Sequence, residues 1–153
     1  MSLLRGYNHV AILTNDTDRL HAFYQEGFDA KVEEVQHDDE MRLSFIHVGP
    51  YNAINVFEFK GNHEADKQVP MFGRGRIDHF GLEAESQEAF DLIRERLIAR
   101  GANDGFVTDF GRELSLFFTD PDGLEGEVLF MHKPTETKTN PPGTRAEGYD
   151  VVA

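Results

Sequence analysis

The sequence contains no cysteine and no tryptophan among its 153 residues, and its 28 acidic residues outnumber the 15 basic ones. Without cysteine the protein has no disulfides, thiolate ligands or cysteine nucleophile, so any metal must be held by histidine, carboxylate or amide groups. The formal net charge of −13 excludes nucleic acid and anionic lipid as favoured partners.

Long apolar segments are also absent. No stretch approaches the roughly 20 apolar residues that span a bilayer, and residues 1–6 lack the apolar region of a secretion signal. We therefore expect a cytoplasmic protein that contacts no membrane. With 39% hydrophobic residues and 14 glycines, the composition is that of a folded chain, long enough for one domain or two half-size modules.

The order of predicted elements repeats once along the chain. A strand at 7–14 precedes a helix capped by Asp16, and strands follow at 31–35, 41–48 and 53–59. A strand at 77–83 precedes a second helix, capped by Ser86 and ended by Gly101, and strands follow at 106–109, 114–119 and 125–131. Both halves are therefore βαβββ units. Residues 60–76, which are polar and broken by glycine and proline, connect them.

Equivalent residues of the two halves lie 70 to 72 positions apart, which indicates an internal duplication. The matched positions are His9 with His79, Asp16 with Ser86, Leu43-Ser44 with Leu114-Ser115, Gly49-Pro50 with Asp120-Pro121, and Asn55-Val56 with Glu127-Val128. The modules are therefore residues 1–59 and 77–131. Residues 132–153 form a tail with little to bury, which we expect to be extended, mobile or packed on a partner.

Three motifs carry a resemblance to a known family: NHVA at 8–11, DHFGL at 78–82 and DPDGLEGE at 120–127. Over about residues 7–131 the sequence resembles the vicinal oxygen chelate superfamily, which includes glyoxalase I, bleomycin and fosfomycin resistance proteins, methylmalonyl-CoA epimerase and extradiol dioxygenases. The resemblance implies an α+β fold in which two βαβββ modules form an open, cupped mixed β-barrel with flanking helices. It also implies a homodimer, since the edge strands of an open cup invite pairing.

The same resemblance implies metal ligands on the first and last strand of each module, namely His9, His79 and Glu127. Asn55 takes the fourth position, because the repeat matches it with Glu127. Glu58 is the competing choice if a bulge shifts the register, since on a regular strand it faces the side opposite to Asn55. Two imidazoles and one carboxylate are typical of non-haem Fe(II), so Fe(II) is favoured, with Mn(II), Ni(II) or Zn(II) as alternatives.

The implied activity is that of a metal-dependent enzyme whose small substrate chelates the ion through adjacent oxygens, by dioxygenase, isomerase or lyase chemistry. Glu127 is a candidate catalytic base, because Asn55 has no basic group. His47 is a second candidate for proton transfer, since imidazole suits that role near neutral pH. The aromatic residues proposed to contact substrate are Phe57 and Phe117, with Phe59 and Phe118 beside them.

The sequence is also consistent with other functions. A non-catalytic protein that sequesters a drug or metabolite is the main alternative, and an interaction module with a vestigial sheet is another. Arg74 and Arg76 either solubilise the module junction or hold an anionic group of the substrate. The remaining histidines are expected to face solvent or lie in loops: His21, His37, His63 and His132.

Overall fold

The computed structural model describes residue 3 and residues 6–152. The chain divides into two compact units between Gln68 and Val69. The elements of the first unit are β1 (His9–Leu13), α1 (Thr17–Phe28), β2 (Lys31–His37), β3 (Met41–His47) and β4 (Ala53–Phe59). Those of the second are β5 (Phe80–Glu83), α2 (Gln87–Ala99), β6 (Thr108–Asp109), β7 (Leu114–Thr119) and β8 (Glu125–Phe130). The predicted α+β class with two βαβββ modules is confirmed.

Each unit builds its own four-stranded mixed sheet, with strand order β1-β4-β3-β2 in the first and β5-β8-β7-β6 in the second. The first and last strands of each unit are parallel neighbours, and the other pairs are antiparallel. This topology places His9 and Asn55 on the adjacent strands β1 and β4, and it places Glu127 on β8 beside β5, which His79 directly precedes. None of the described helices is long and apolar enough to cross a membrane.

Both helices begin at the predicted caps. The Asp16 carboxylate accepts the Arg19 N–H at 2.9 Å, and the Ser86 hydroxyl accepts the Ala89 N–H at 3.1 Å. Each cap satisfies a backbone donor that the first turn leaves without an intrahelical acceptor. Gly101 follows α2 with a φ of 66°, a left-handed value that suits glycine at a helix end.

The helices cover one face of each sheet and leave the other face to the candidate ligands. On α1, Leu20 and Tyr24 are fully buried, and on α2 Phe90 and Leu97 are fully buried. Burying one large apolar side chain contributes about 1.5–3 kcal/mol to stability. Because strand residues alternate between faces, the odd-numbered residues of β4 and β8 lie on the faces away from the helices.

Strand pairing corrects one match of the internal repeat. Ser44 pairs with Val56, whereas Ser115 pairs with Leu129. Because Leu43 pairs with Phe57, the residue equivalent to Ser115 is Leu43, at a spacing of 72 rather than 71. Ser44 therefore faces α1, whereas Ser115 lies on the face that carries Glu127.

Several predicted boundaries are also wrong. β5 begins at Phe80 rather than at residue 77, and Ile77 is 82% exposed. β6 contains only two residues, and β2 continues to His37, because Gln36 and His37 pair with β3 beyond a register shift.

One histidine is not where the sequence places it. His21 is buried on α1, and its Nε2 lies 2.7 Å from the Ser44 hydroxyl. That partner is distant in sequence, which explains why a local pattern assigns His21 to solvent. His132 lies in a loop after β8, as expected, and donates from Nε2 to the Gly111 carbonyl at 3.1 Å.

The expectation of a tail with little to bury is wrong as well. The Ala146 N–H donates to the Val107 carbonyl at 2.9 Å, and the Asp109 N–H donates to the Thr144 carbonyl at 2.8 Å. These bonds cover the free edge of β6. Ala146 is buried, and the Tyr149 ring packs edge-on against Phe90 of α2. The described part of the tail therefore packs on its own unit.

Candidate functional site

His79 and Glu127 approach each other on the face of the second sheet that α2 does not cover. Glu127 of β8 pairs with Gly81 of β5, and His79 lies two residues before Gly81, so both side chains share a face. The distance from His79 Nε2 to Glu127 Oε2 is 3.6 Å. The two side chains are 28% and 12% exposed, so the pair is largely shielded but reachable.

The other polar atom of each side chain is anchored. His79 Nδ1 lies 2.8 Å from Asp78 Oδ2, and the Ser115 hydroxyl donates to Glu127 Oε1. The hydrogen bond with His79 holds the pKa of Asp78 below its usual value. These anchors leave His79 Nε2 and Glu127 Oε2 as the two atoms that face each other.

This geometry tests whether the residues fit a divalent ion. When Nδ1 donates to Asp78, a neutral His79 presents a lone pair at Nε2, opposite a negative oxygen of Glu127. Such an approach is favourable when a proton or a cation lies between the two atoms. Donors in one metal shell with bonds of about 2.1 Å lie roughly 3.0–3.4 Å apart, a few tenths less than the distance here. The donor set fits a divalent ion.

The connection before β5 is tied to the same region. Asp78 Oδ1 accepts the Phe72 N–H, and Glu125, at the start of β8, accepts the Met71 N–H at 2.9 Å. The Arg74 guanidinium also donates to Glu125, and its side chain is only 9% exposed. Arg74 is therefore part of a partly buried ion pair, not a solvated surface residue.

The first sheet repeats this layout by itself. Ala11 of β1 pairs with Asn55 of β4, as Gly81 of β5 pairs with Glu127 of β8. On its other side, Asn55 pairs with Phe45 of β3. His9 lies two residues before Ala11, so His9 and Asn55 share a face. His9 is exposed, and its Nδ1 lies 2.9 Å from the Asn8 side-chain oxygen.

Glu58 lies on the opposite face of the first sheet. Its Oε2 accepts two hydrogen bonds from Thr17, the first residue of α1. The pairing of β3 with β4 runs without a bulge from Met41↔Phe59 to His47↔Ala53, so nothing shifts Glu58 to the face of Asn55.

His47 shares the face of His9, because both pair with Ala53. Its Nε2 lies 3.1 Å from Glu33 Oε2, and its side chain is 41% exposed. An imidazole paired with a carboxylate at an accessible position has the arrangement that proton transfer requires.

Three of the four candidate aromatic residues lie on the sheet faces away from the helices, and one lies on a helix side. Phe57 stacks on Phe59 with ring centres 5.9 Å apart, and Phe117 lies edge-on to His79 at 5.4 Å. Phe118 is buried on the helix side, where its ring occupies the space above Gly126, so its assignment to a substrate surface is wrong.

Sequence reasoning missed Ser115 and Asp78. The repeat matched Ser115 with Ser44, which lies on the helix side of its sheet, whereas a match with Leu43 would have indicated that Ser115 shares the face of Glu127. For Asp78 the signal was present, since Asn8 and Asp78 both precede a candidate histidine. Within each unit taken by itself, the described residues contain no group of three or more His, Asp or Glu side chains placed to hold a metal.

Comparisons with known proteins agree with this architecture. The family model for the Glyoxalase/Bleomycin resistance protein/Dioxygenase superfamily matches residues 6–128. No curated protein gives a significant match.

Solved structures show the same fold at low sequence identity. A glyoxylase/bleomycin resistance protein/dioxygenase domain from a Frankia species is 24% identical, with a TM-score of 0.67 and coverage of 84% of this chain and 93% of that one. Lactoylglutathione lyase from Agrobacterium tumefaciens is 20% identical, with a TM-score of 0.59 and coverage of 83% and 94%. A mutant of the fosfomycin resistance protein FosX from Listeria monocytogenes, complexed with Mn(II) and 1S,2S-dihydroxypropylphosphonic acid, is 19% identical, with a TM-score of 0.61 and coverage of 82% and 92%.

Proposed function

Because this chain belongs to the Glyoxalase/Bleomycin resistance protein/Dioxygenase superfamily, we propose that it is a divalent-metal-dependent enzyme acting on a small substrate that chelates the metal through adjacent oxygens. One observation carries the proposal: His79 Nε2 and Glu127 Oε2 face each other at 3.6 Å while their other polar atoms are anchored. The Mn(II) and dihydroxy ligand of the FosX mutant support the proposal by analogy.

His79 and Glu127 are the proposed ligands from the second module, and His9 and Asn55 are those from the first. His9 and Asn55 come either from the same chain or from a second copy in a homodimer. The Asn8 contact to His9 Nδ1, at 2.9 Å, supports the assignment, because it leaves Nε2 of His9 as the ligating atom, as in His79. Fe(II) is the favoured ion, with Mn(II), Ni(II) or Zn(II) as alternatives.

When bound, a divalent ion supplies polarisation of a substrate oxygen and stabilises negative charge that develops there, and Fe(II) also offers a position for O₂. The protein residues orient the substrate and move protons. Glu127 is the proposed acceptor of a substrate proton, and Ser115 restricts the rotation of its carboxylate through the bond to Oε1. Asn55, with a neutral amide, cannot share that role.

His47 is the proposed second proton carrier. Its contact with Glu33 orients the ring for proton transfer. Phe57 and Phe117 are the proposed substrate contacts, since flat apolar rings bind the carbon skeleton of a chelating substrate while leaving its oxygens to the ion. Dioxygenation, isomerisation and lyase chemistry all begin from this arrangement.

Metal binding tests the proposal. The full-length protein, purified without chelator, is analysed for bound metal, and chelator-treated protein is titrated calorimetrically with Fe(II), Mn(II), Ni(II) and Zn(II). We expect stoichiometric binding of one of these ions, weakened at least roughly tenfold by His79→Ala or Glu127→Gln, since each removes a ligand. His63→Ala is the matched control, because that exposed ring contacts Asp66 in a different part of the chain. Wild-type protein that binds none of the four ions would overturn the proposal.

A further inference from the structure

Asp78 contacts two groups at once. Its Oδ2 lies 2.8 Å from Nδ1 of His79, and its Oδ1 accepts the backbone N–H of Phe72. The Asp78 side chain is 23% exposed, so the carboxylate is partly shielded from competing water. One carboxylate therefore joins a candidate ligand to the connecting segment six residues upstream.

The Phe72 end of this link has an unusual backbone. Phe72 has a φ of 69°, in the left-handed region that residues other than glycine seldom occupy, and its side chain is 86% exposed. Such a conformation persists where surrounding bonds hold it. Here the holding bonds are those from Phe72 N–H to Asp78 and from the neighbouring Met71 N–H to Glu125.

At the other end of this link, Asp78 determines which nitrogen of the His79 ring carries the proton. A neutral imidazole carries its proton on one nitrogen, and an acceptor beside Nδ1 places the proton there. Nε2 then keeps the lone pair that a metal requires, and a carboxylate acceptor also increases the ligand strength of the ring. In the first module the corresponding acceptor is the neutral amide of Asn8.

We infer that Asp78 is a positioning residue, which fixes the tautomer and orientation of His79 for metal binding and couples them to the segment around Phe72. The metal-binding part of this inference rests on the proposed function. The contrast with Asn8 makes the two modules unequal: the histidine of the second module has a charged acceptor and is the stronger ligand of the two.

The test combines a metal-free and a metal-dependent measurement on the full-length protein. Long-range ¹H–¹⁵N NMR of the metal-free protein identifies the His79 tautomer, and hydrogen exchange measures the protection of the Phe72 N–H. Calorimetry with Mn(II) measures the metal affinity. The variants are Asp78→Ala, Asp78→Asn and Asn8→Asp, each checked for native circular dichroism. Asn8→Asp is the control for His79, because it makes the reciprocal change beside the other histidine.

In the wild type we expect the proton of His79 on Nδ1. Asp78→Ala should move it towards Nε2, accelerate exchange of the Phe72 amide, and weaken Mn(II) binding by about 10- to 100-fold. Asp78→Asn should show the same three changes to a smaller extent, because one amide oxygen replaces two carboxylate oxygens. Asn8→Asp should leave the His79 signals unchanged.

The two proposals fail differently. If the wild type binds none of the divalent ions, the proposed function fails, and the tautomer and exchange measurements decide the role of Asp78 alone. If Asp78→Ala leaves the His79 tautomer as in the wild type, the inference about Asp78 is overturned, whatever the affinity for Mn(II).

Discussion

Glu58 accepts two hydrogen bonds from Thr17, one from the backbone N–H at 2.9 Å and one from the hydroxyl at 2.6 Å. Thr17 is the first residue of α1, so the carboxylate satisfies a backbone donor at the helix start and places negative charge near the positive end of the helix dipole. The carboxylate of Glu58 therefore stabilises α1 and does not lie on the face of Asn55.

Glu58→Gln should therefore lower the free energy of unfolding by about 1–2 kcal/mol, since it removes the charge from both hydrogen bonds. Its metal affinity should match that of the wild type, whereas Asn55→Ala should weaken metal binding. Urea unfolding and calorimetric titration of both variants measure the two effects. Weakened metal binding in Glu58→Gln at unchanged stability would favour Glu58 as the ligand.

Asp120 should make the protein less stable as the pH rises from about 4 to 6. Burial raises its pKa to about 6, from 3.8, so the folded state binds the proton more tightly than the unfolded chain. Its Oδ1 accepts the N–H groups of Asp122 and Leu124, both at 2.9 Å. At about 1.4 kcal/mol per pH unit, this carboxyl costs about 3 kcal/mol of stability at neutral pH relative to its protonated form.

Asp120→Asn keeps an acceptor oxygen and removes the ionisable group. The difference in unfolding free energy between variant and wild type should therefore grow from pH 4 to pH 7, as measured by urea unfolding. A difference that does not change with pH would contradict the assignment of this titration to Asp120.

His21 should have the opposite effect on the pH dependence of stability, because it should make the protein less stable as the pH falls. Its burial, followed by the nearby charge of Arg42, lowers its pKa from 6.5, so the unfolded state binds the proton more tightly. This contribution to stability is present above pH 6.5 and is lost as the pH falls through the lowered pKa. Replacing His21 by Gln keeps a hydrogen bond to Ser44 within reach and should flatten the acid side of the stability profile. An acid profile identical to the wild type would show that another group is responsible.

Tyr149 should stabilise the second unit from the tail. Its hydroxyl donates to Asp91 at 2.7 Å and accepts from Gln87 at 2.6 Å, and Arg94 lies over its ring at 5.2 Å. Burial raises its pKa to about 12. We expect Tyr149→Phe to cost about 1 kcal/mol and Tyr149→Ala about 2–4 kcal/mol, measured by thermal and urea unfolding. Stability unchanged in Tyr149→Ala would mean that the tail does not contribute to folding.

The sequence predicted the parts of the fold that depend on local chemistry and on duplication. Asp16 and Ser86 identified the helix starts, and strand alternation predicted that Asn55 and Glu58 face opposite sides. The spacing of 72 between Asn55 and Glu127 reappears in their equivalent pairing with Ala11 and Gly81. These features need only neighbouring residues and the strand period.

Other features depend on partners distant in the chain. His21 is buried because Ser44 supplies a hydrogen bond, and Tyr149 is held by Asp91, 58 residues earlier. Ser115 was matched with Ser44 rather than with Leu43, and a one-residue error of this kind exchanges the two faces of a strand. A sequence pattern does not specify such long-range contacts.

The proposed metal site is tested most directly by a crystal structure of the protein loaded with Mn(II) or Fe(II), with the metal located by anomalous scattering. We expect an ion bound by Nε2 of His79 and a carboxylate oxygen of Glu127, with His9 and Asn55 as the further proposed ligands. An ion bound away from His79 and Glu127, or those two side chains free of metal at saturating concentration, would contradict it.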